Sequence, residues 1–234
     1  MMRLDKILAH KGYGSRKQVK EFIRKGYVYV NDIQVFDDDY KVDELNDSIV
    51  IMDEEVDYQK YVYLMLNKPQ GVVSATFDFH KQTVIELVDE FAFQKVFPVG
   101  RLDIDTEGLL LITNDGKLAY NLLSPKKHVD KVYYVEFSGT FKEEYYKEFE
   151  KGITLEDGYI CQKAVFKLIA PQKGNITIHE GKFHQVKRMF QSLGLEVTYL
   201  KRMKFGPIDL DPNLGLGEYR LLTDKEIELL KKHN

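Results

Sequence analysis

Two hydrophobic rhythms run along this chain and divide it into two regions. In the first, Leu4, Ile7 and Leu8 recur at the three- and four-residue interval of a helix, and Val19, Phe22 and Ile23 do so again. Ser15 stands where the second helix needs an N-cap, and Gly26 stands where that helix stops. Residues 27–30 and 33–36 flank Asn31-Asp32 and read as a short hairpin. The segment 51–60 follows as a linker, although it contains neither proline nor glycine.

The second region mixes both rhythms. Residues 61–66, 71–75, 96–99, 109–113, 132–137, 164–169, 176–179 and 196–203 read as strands, the first two joined by a turn at 67–70. Residues 84–88, 117–124, 142–151, 184–193 and 224–232 read as helices. Helices fall between pairs of strands rather than after every strand. The expected fold is therefore α+β, with a mixed, largely antiparallel sheet flanked by helices. The expected domains are a small module at 1–55 and a larger one at 56–234.

Composition narrows the class. Of 234 residues, 44% are hydrophobic and 30% charged, enough to build a core and unlike a disordered chain. Cys161 is the single cysteine, so no internal disulfide and no thiolate zinc site is available. No apolar run approaches the ~18 residues of a membrane span, and the start has no signal-type apolar stretch. A cytoplasmic protein without a membrane partner is expected.

The formal charge of −3 argues against nucleic acid, but its distribution argues for it. Residues 1–30 carry eight basic side chains against two acidic ones, a net +6, and residues 31–60 carry two against eleven, a net −9. A basic block on a small helical module suggests a polyanion-binding surface, and a solvated helix face with scattered lysines is the plainer alternative.

Three stretches could carry chemistry. In Gly100-Arg101-Leu102-Asp103-Ile104-Asp105-Thr106-Glu107-Gly108, three carboxylates alternate between two glycines ahead of an apolar strand. The spacing begins like a calcium loop, but Asn114 falls where the bidentate glutamate belongs. Extended backbone would set Asp103 and Asp105 on one side roughly 7 Å apart, as in paired-carboxylate glycoside hydrolysis, though no aromatic sugar platform lies nearby. A turn whose acids cap the neighbouring backbone is the third reading.

The second stretch runs from His179 to Phe190. Its two histidines, His179 and His184, are five apart with Gly181 between them, which does not suit the i, i+4 pair of a zinc helix. Residues 181–204 hold Lys182, Lys187, Arg188, Lys201, Arg202 and Lys204 against Glu196 alone, a net +5 that suits phosphate. Val186, Met189, Phe190 and Leu193 mark the buried face of the helix, and an ordinary amphipathic helix would look the same. The third stretch, Lys131-Val132-Tyr133-Tyr134-Val135-Glu136, is a strand whose two tyrosines face opposite ways. One suits the core, and the other could stack on a base.

Together these stretches resemble the RsuA-type family of ribosomal RNA pseudouridine synthases. The segment GRLDIDTEGLLLITNDG at 100–116 matches that family's signature almost without departure. Asn67-Lys68-Pro69-Gln70-Gly71, Lys131-Val132-Tyr133-Tyr134-Val135, the 180–189 stretch and Leu214-Gly215-Leu216-Gly217-Glu218-Tyr219-Arg220 follow in the matching order. The N-terminus, from Arg3-Leu4-Asp5-Lys6 through Gly14-Ser15-Arg16 to Val30-Asn31, resembles an S4 RNA-binding module. It departs at Asp32, where the family usually turns on glycine.

The resemblance implies an enzyme that isomerises a uridine in ribosomal RNA to pseudouridine after flipping the base out, without cofactor or metal. It implies Asp103 as the catalytic carboxylate, Lys187 as its basic partner and Tyr133 against the base. Arg101 would hold the flipped nucleotide's place. RNA contacts are expected from Arg3, Lys6, Ser15, Arg16, Lys17 and Lys20 in the module, and from Arg101, Lys182, Arg188 and Arg202 beyond it. The form His184-Gln185-Val186-Lys187-Arg188-Met189 looks closer to enzymes of the small subunit, so the expected partner is 16S RNA or a small-subunit assembly intermediate, met by a monomer. The rivals are a 23S-directed synthase and an S4-type ribosome-assembly factor without activity.

Overall fold

The computed structural model describes residues 1–43, 46–56, 58, 60–124 and 129–232. Residues 57 and 59 of the expected linker lie outside them. The chain forms two compact units, Met1–Val62 with Asp89–Val96, and Tyr63–Val88 with Phe97–Asn234. The first unit thus runs past residue 55 and takes in a later segment. Val56 joins its core and Tyr58 packs on it, so much of the expected linker is structured.

In the first unit, β1 (Met2–Arg3) leads into α1 (Leu4–His10), and α2 (Arg16–Arg24) follows. Ser15 closes a capping box. Its hydroxyl accepts from the Gln18 N–H, and Gln18 Oε1 accepts from the Ser15 N–H at 2.9 Å. Strands β2 (Val28–Val30) and β3 (Ile33–Gln34) form the hairpin, β4 (Lys41–Val42) pairs with β1, and β5 (Ile49–Ile51) and β6 (Glu54–Glu55) complete a sheet ordered β3-β2-β5-β6. Asn31 and Asp32 take φ of +49° and +64°, so aspartate accepts the left-handed turn position without glycine. Leu4, Ile7, Leu8, Val19 and Ile23 bury against Val28, Val30, Ile49 and Ile51.

The second unit holds β7 (Tyr63–Lys68), β8 (Phe97–Pro98), β9 (Glu107–Thr113), α3 (Gly116–Leu123), β10 (Lys131–Ser138), α4 (Glu144–Lys151), β11 (Val165–Ala170), β12 (Lys173–Ile178), α5 (Gln185–Ser192), β13 (Glu196–Phe205), β14 (Ile208–Asp209), β15 (Tyr219–Leu221) and α6 (Asp224–Lys232). The main sheet runs β11-β12-β10-β13-β9-β7-β15, with β14 on β13 and β8 on β9. Among these pairings β13–β9 is parallel and the rest are antiparallel, the mixed sheet expected from the element order. No helix among the described residues is long and apolar enough to cross a membrane.

Two expected elements are absent. Residues 71–75 form no strand, because Val73 makes only an isolated bridge to Thr83 and Ser74 turns its hydroxyl onto the backbone of Leu102. Residues 84–88 form no α-helix. A 3₁₀ segment runs Glu86–Gln94 instead, kinked at Val88 and started by Thr83, whose N–H and hydroxyl donate to Glu86 Oε1.

At the parallel junction, Gly108 lies opposite Arg202 with φ of +101°. A Cβ there would stand 2.3 Å from the Arg202 carbonyl oxygen. Only glycine lets the end of the 100–107 loop enter β9 this close to β13.

Candidate active site

The acidic loop leaves Gly100 and meets β9 at Glu107. Three contacts hold it. Ser74 Oγ donates to the Leu102 carbonyl at 2.9 Å and accepts its N–H at 3.0 Å, while the Gly71 N–H donates to the Ile104 carbonyl at 2.8 Å. The third is Lys68, fully buried at the end of β7. Its ammonium reaches the carbonyls of Pro69 (2.9 Å), Asp103 (3.1 Å), Ile104 (3.4 Å) and Thr106 (3.0 Å). The inward-facing carbonyls that a calcium loop would aim at a metal are taken here by an amine. Burial pushes this ammonium down to about 8, against the opposing pull of Asp103, Asp105 and Glu107.

With its backbone tied inward, the loop turns its carboxylates toward α5. Lys187 Nζ stands 2.5 Å from Asp105 Oδ1 and 3.8 Å from Asp103 Oδ2. Lys187 thus bridges the two acids and bonds more closely to Asp105 than to Asp103. Burial raises the Asp105 carboxyl, but the hydrogen bond and charge of Lys187 outweigh it and leave that group below the usual carboxylate range. His184 Nε2 lies 3.8 Å from Asp103 Oδ1 on the other side.

Asp103 opens on a hollow lined also by Arg101, Leu102, Thr106, Tyr133, Ile178, Gly181, Lys182, His184, Gln185, Val186 and Leu200. Tyr133, on β10, is 8% exposed and lines it. Tyr134 serves a different end, donating to Glu136 at 2.6 Å and meeting Tyr199 edge-on. One rim is fixed by Glu180, whose carboxylate accepts from Tyr159 Oη (2.6 Å), the Gln162 N–H (2.9 Å) and Gln185 Nε2 (2.9 Å). Gln185 Oε1 in turn accepts the Lys182 N–H at 2.9 Å.

The structure therefore brings Asp103, Tyr133, Arg101 and Lys182 to one hollow, with Lys187 beside it, 3.8 Å from Asp103. Lys182 is exposed and also lies 4.6 Å over the Tyr159 ring. Arg188, one residue beyond Lys187, pairs with Asp157 at 2.6 Å. Arg202 does not belong among surface RNA contacts. It is 2% exposed, its Nε donates to the Leu109 carbonyl at 2.7 Å, and its guanidinium lies 5.1 Å over Phe205. It stands on the sheet at the parallel junction, where a cation ties β13 to β9. Reading the sequence assigns no part at this hollow to Lys68 or His184, and weighs Asp105 only as one of a pair of carboxylates or a capping acid. Asn67-Lys68-Pro69 was legible as a motif, but a lysine after an apolar strand reads as exposed.

In the first unit, Arg3, Arg16, Lys17, Lys20 and Arg24 line a shallow basic hollow with Glu21. Beneath it lies the buried Asp5, accepting from Arg3 at 3.0 and 3.1 Å and from Arg16 at 3.1 and 2.9 Å. Burial would raise this carboxyl, but the two arginines hold it below its ordinary range. The acidic block folds back on the basic one: Asp38 pairs with Arg24 and Lys20, and Asp39 with Arg3 and Lys20. Lys6 and Lys17 are exposed. The Ser15 hydroxyl is taken up by the cap, donating to Gln18 Oε1 at 2.8 Å, so it shapes α2 rather than offering a free group.

Residues 62–192 match the RNA pseudouridylate synthase family model, and residues 2–49 match the S4 domain. An uncharacterized RNA pseudouridine synthase of Bacillus subtilis is 47% identical, covering 99% of both chains. The ribosomal small subunit pseudouridine synthase A of Vibrio cholerae is 38% identical over 99% of this chain and 100% of its own. The ribosomal large subunit pseudouridine synthase B of Bacillus subtilis is also 38% identical, over 99% and 96%. A crystal structure of a pseudouridylate synthase, 37% identical, aligns over 98% of this chain and 100% of its own with a TM-score of 0.70. The chain belongs to the RNA pseudouridylate synthase family, of the S4-bearing RsuA type, and is an enzyme that isomerises uridine in RNA.

The tie at Lys68 predicts a pH effect. Below about pH 8 the group is charged and holds the loop carbonyls, and above it a neutral amine has fewer donors for them. Turnover should fall as pH rises through about 8. Lys68→Met, lacking the cation at every pH, should be slow by roughly 100-fold throughout and show no such limb. An alkaline limb surviving in that variant would assign the titration to another group.

Proposed function

We propose that this enzyme converts a uridine of ribosomal RNA, in the small subunit, to pseudouridine, acting as a cytoplasmic monomer with Asp103 as the catalytic carboxylate. The observation that carries the reading is Asp103 on a hollow, between Lys187 and His184 and with Tyr133 on its wall. Named small-subunit synthases among the relatives favour that target. A large-subunit synthase of equal identity is the runner-up.

The chemistry asks for little else. The N1–C1′ bond breaks, uracil turns, and C5 bonds to C1′; the C5 hydrogen then leaves as a proton and N1 gains one. Asp103 either adds to C1′ or takes a sugar proton on the way to a glycal, and both routes need its carboxylate against the ribose. Lys187 balances the negative charge of the pair of acids. The uridine must leave its helix or loop to enter, with Tyr133 against its face and Arg101 at the opening. On the S4 side, the exposed Lys6 and Lys17 and the arginines around Asp5 take RNA phosphates.

Asp103→Asn is expected to abolish tritium release from 5-tritiated uridine RNA while RNA binding persists, and Lys187→Arg to retain part of the rate because it keeps a cation. Normal release by the asparagine variant would remove Asp103 from the chemistry. Mapping pseudouridine in ribosomal RNA from cells with and without the gene should reveal one missing 16S position. A missing 23S position would move the target to the large subunit, and no change would favour an assembly factor.

The paired Lys6→Ala, Lys17→Ala variant should weaken RNA binding and flatten the plot of log affinity against log salt by about 0.7 to 0.9 per lost contact. An unchanged slope would exclude these two lysines as phosphate ligands.

A further inference from the structure

Beside the hollow stands an aromatic pair that the chemistry above does not use. Phe183 and His184 are consecutive, yet their rings stack with centroids 3.8 Å apart and planes within 18°. Neighbouring side chains normally diverge. Here His184 takes φ of +49°, a left-handed conformation uncommon away from glycine. The segment is held in that shape from both ends, by Glu180 accepting from Gln185 and by Gln185 accepting from the Lys182 N–H. His184 lines the hollow and faces Asp103, so it forms the inner leaf of the pair. Phe183 forms the outer leaf and is 74% exposed.

We propose that Phe183, backed by His184, is a stacking platform for the unpaired nucleobase next to the target uridine in the RNA. A base drawn out of its stack leaves a neighbour whose face is newly open to water, and an aromatic ring beside the entrance can cover it. Charge selects the occupant. Lys182 immediately precedes the platform, and Arg101 and Lys182 line the same hollow, so an anionic strand is drawn there rather than an apolar peptide. The platform gives the enzyme a grip on sequence context, because purine and pyrimidine neighbours stack with different strength. Phe183 is a positioning residue and touches no reacting atom.

This inference rests on the reading of the hollow as the uridine site, which Asp103→Asn tests without reference to Phe183. The probe is an RNA fragment spanning the mapped uridine, made intact and with an abasic nucleotide on either side of it. Phe183→Leu keeps apolar bulk but loses the π-face, and Phe183→Tyr keeps both. On intact RNA the leucine variant should bind about 5- to 150-fold more weakly, the span of one stacked base, and the tyrosine variant should bind like the parent. On one of the two abasic RNAs the parent should weaken by a similar factor and the leucine variant should lose nothing further. An equal loss on all three RNAs would make Phe183 merely structural. No loss on RNA, with weaker binding to ribosomal subunit particles, would assign the surface to a protein. Either result overturns the platform.

Discussion

A fully buried lysine ammonium shapes the acidic loop of this protein. Lys68 Nζ gathers four backbone carbonyls, three of them from the 103–106 turn, at distances of 2.9 to 3.4 Å. Carbonyl dipoles converging on one point repel each other, so the turn could not close this way without a cation at its centre. A buried charge in turn survives only when it is fully hydrogen-bonded. Loop and lysine therefore need each other. The loop's polar backbone faces inward, which leaves its side chains free to face out.

That division explains why the acids come as a set. Asp103 and Asp105 emerge on the side of α5, and one lysine serves both, held closely by Asp105 and at longer range by Asp103. If Lys187 closed on Asp103 instead, the proposed reacting oxygens would be tied up in a tight pair. Asp105 acts as the anchor that keeps the cation nearby without letting it bind the neighbour outright. Gly108 completes the geometry from the other end, since any side chain there would collide with the Arg202 carbonyl and push the loop away from β13.

Much of this architecture was legible because it is local. Ser15 three residues before Gln18, Gly26 after an amphipathic run, and alternation through Lys131–Ser138 each specify an element from near neighbours. The loop carrying Asp103 was legible through its match to a family pattern, not through any chemistry that spacing alone revealed. What failed was non-local. Val72 and Val73 suggest a strand, but Ser74 is recruited by Leu102, 28 residues away, and the segment bends to reach it. Arg202 sits in a run of cations and read as surface, whereas its place on β13 opposite Gly108 puts it inside the sheet. Lys187 and Asp105 are 82 residues apart, so no window of sequence reveals their bond.

The same distinction governs the basic module. Counted along the chain, residues 1–30 form a dense positive block, but folding returns Asp38 and Asp39 to Arg3, Lys20 and Arg24 and sets Asp5 beneath Arg3 and Arg16. The buried anion does for the arginines what Lys68 does for the loop: it fixes their direction from below. On the proposed reading, RNA phosphates arriving at this hollow would meet guanidinium groups already aligned, with less side-chain entropy left to lose. They would also have to displace Asp38 and Asp39 from some of those partners, which would weaken non-specific attraction. A surface built this way gives up raw charge for orientation, and that suits an enzyme that must select one uridine within a long polyanion.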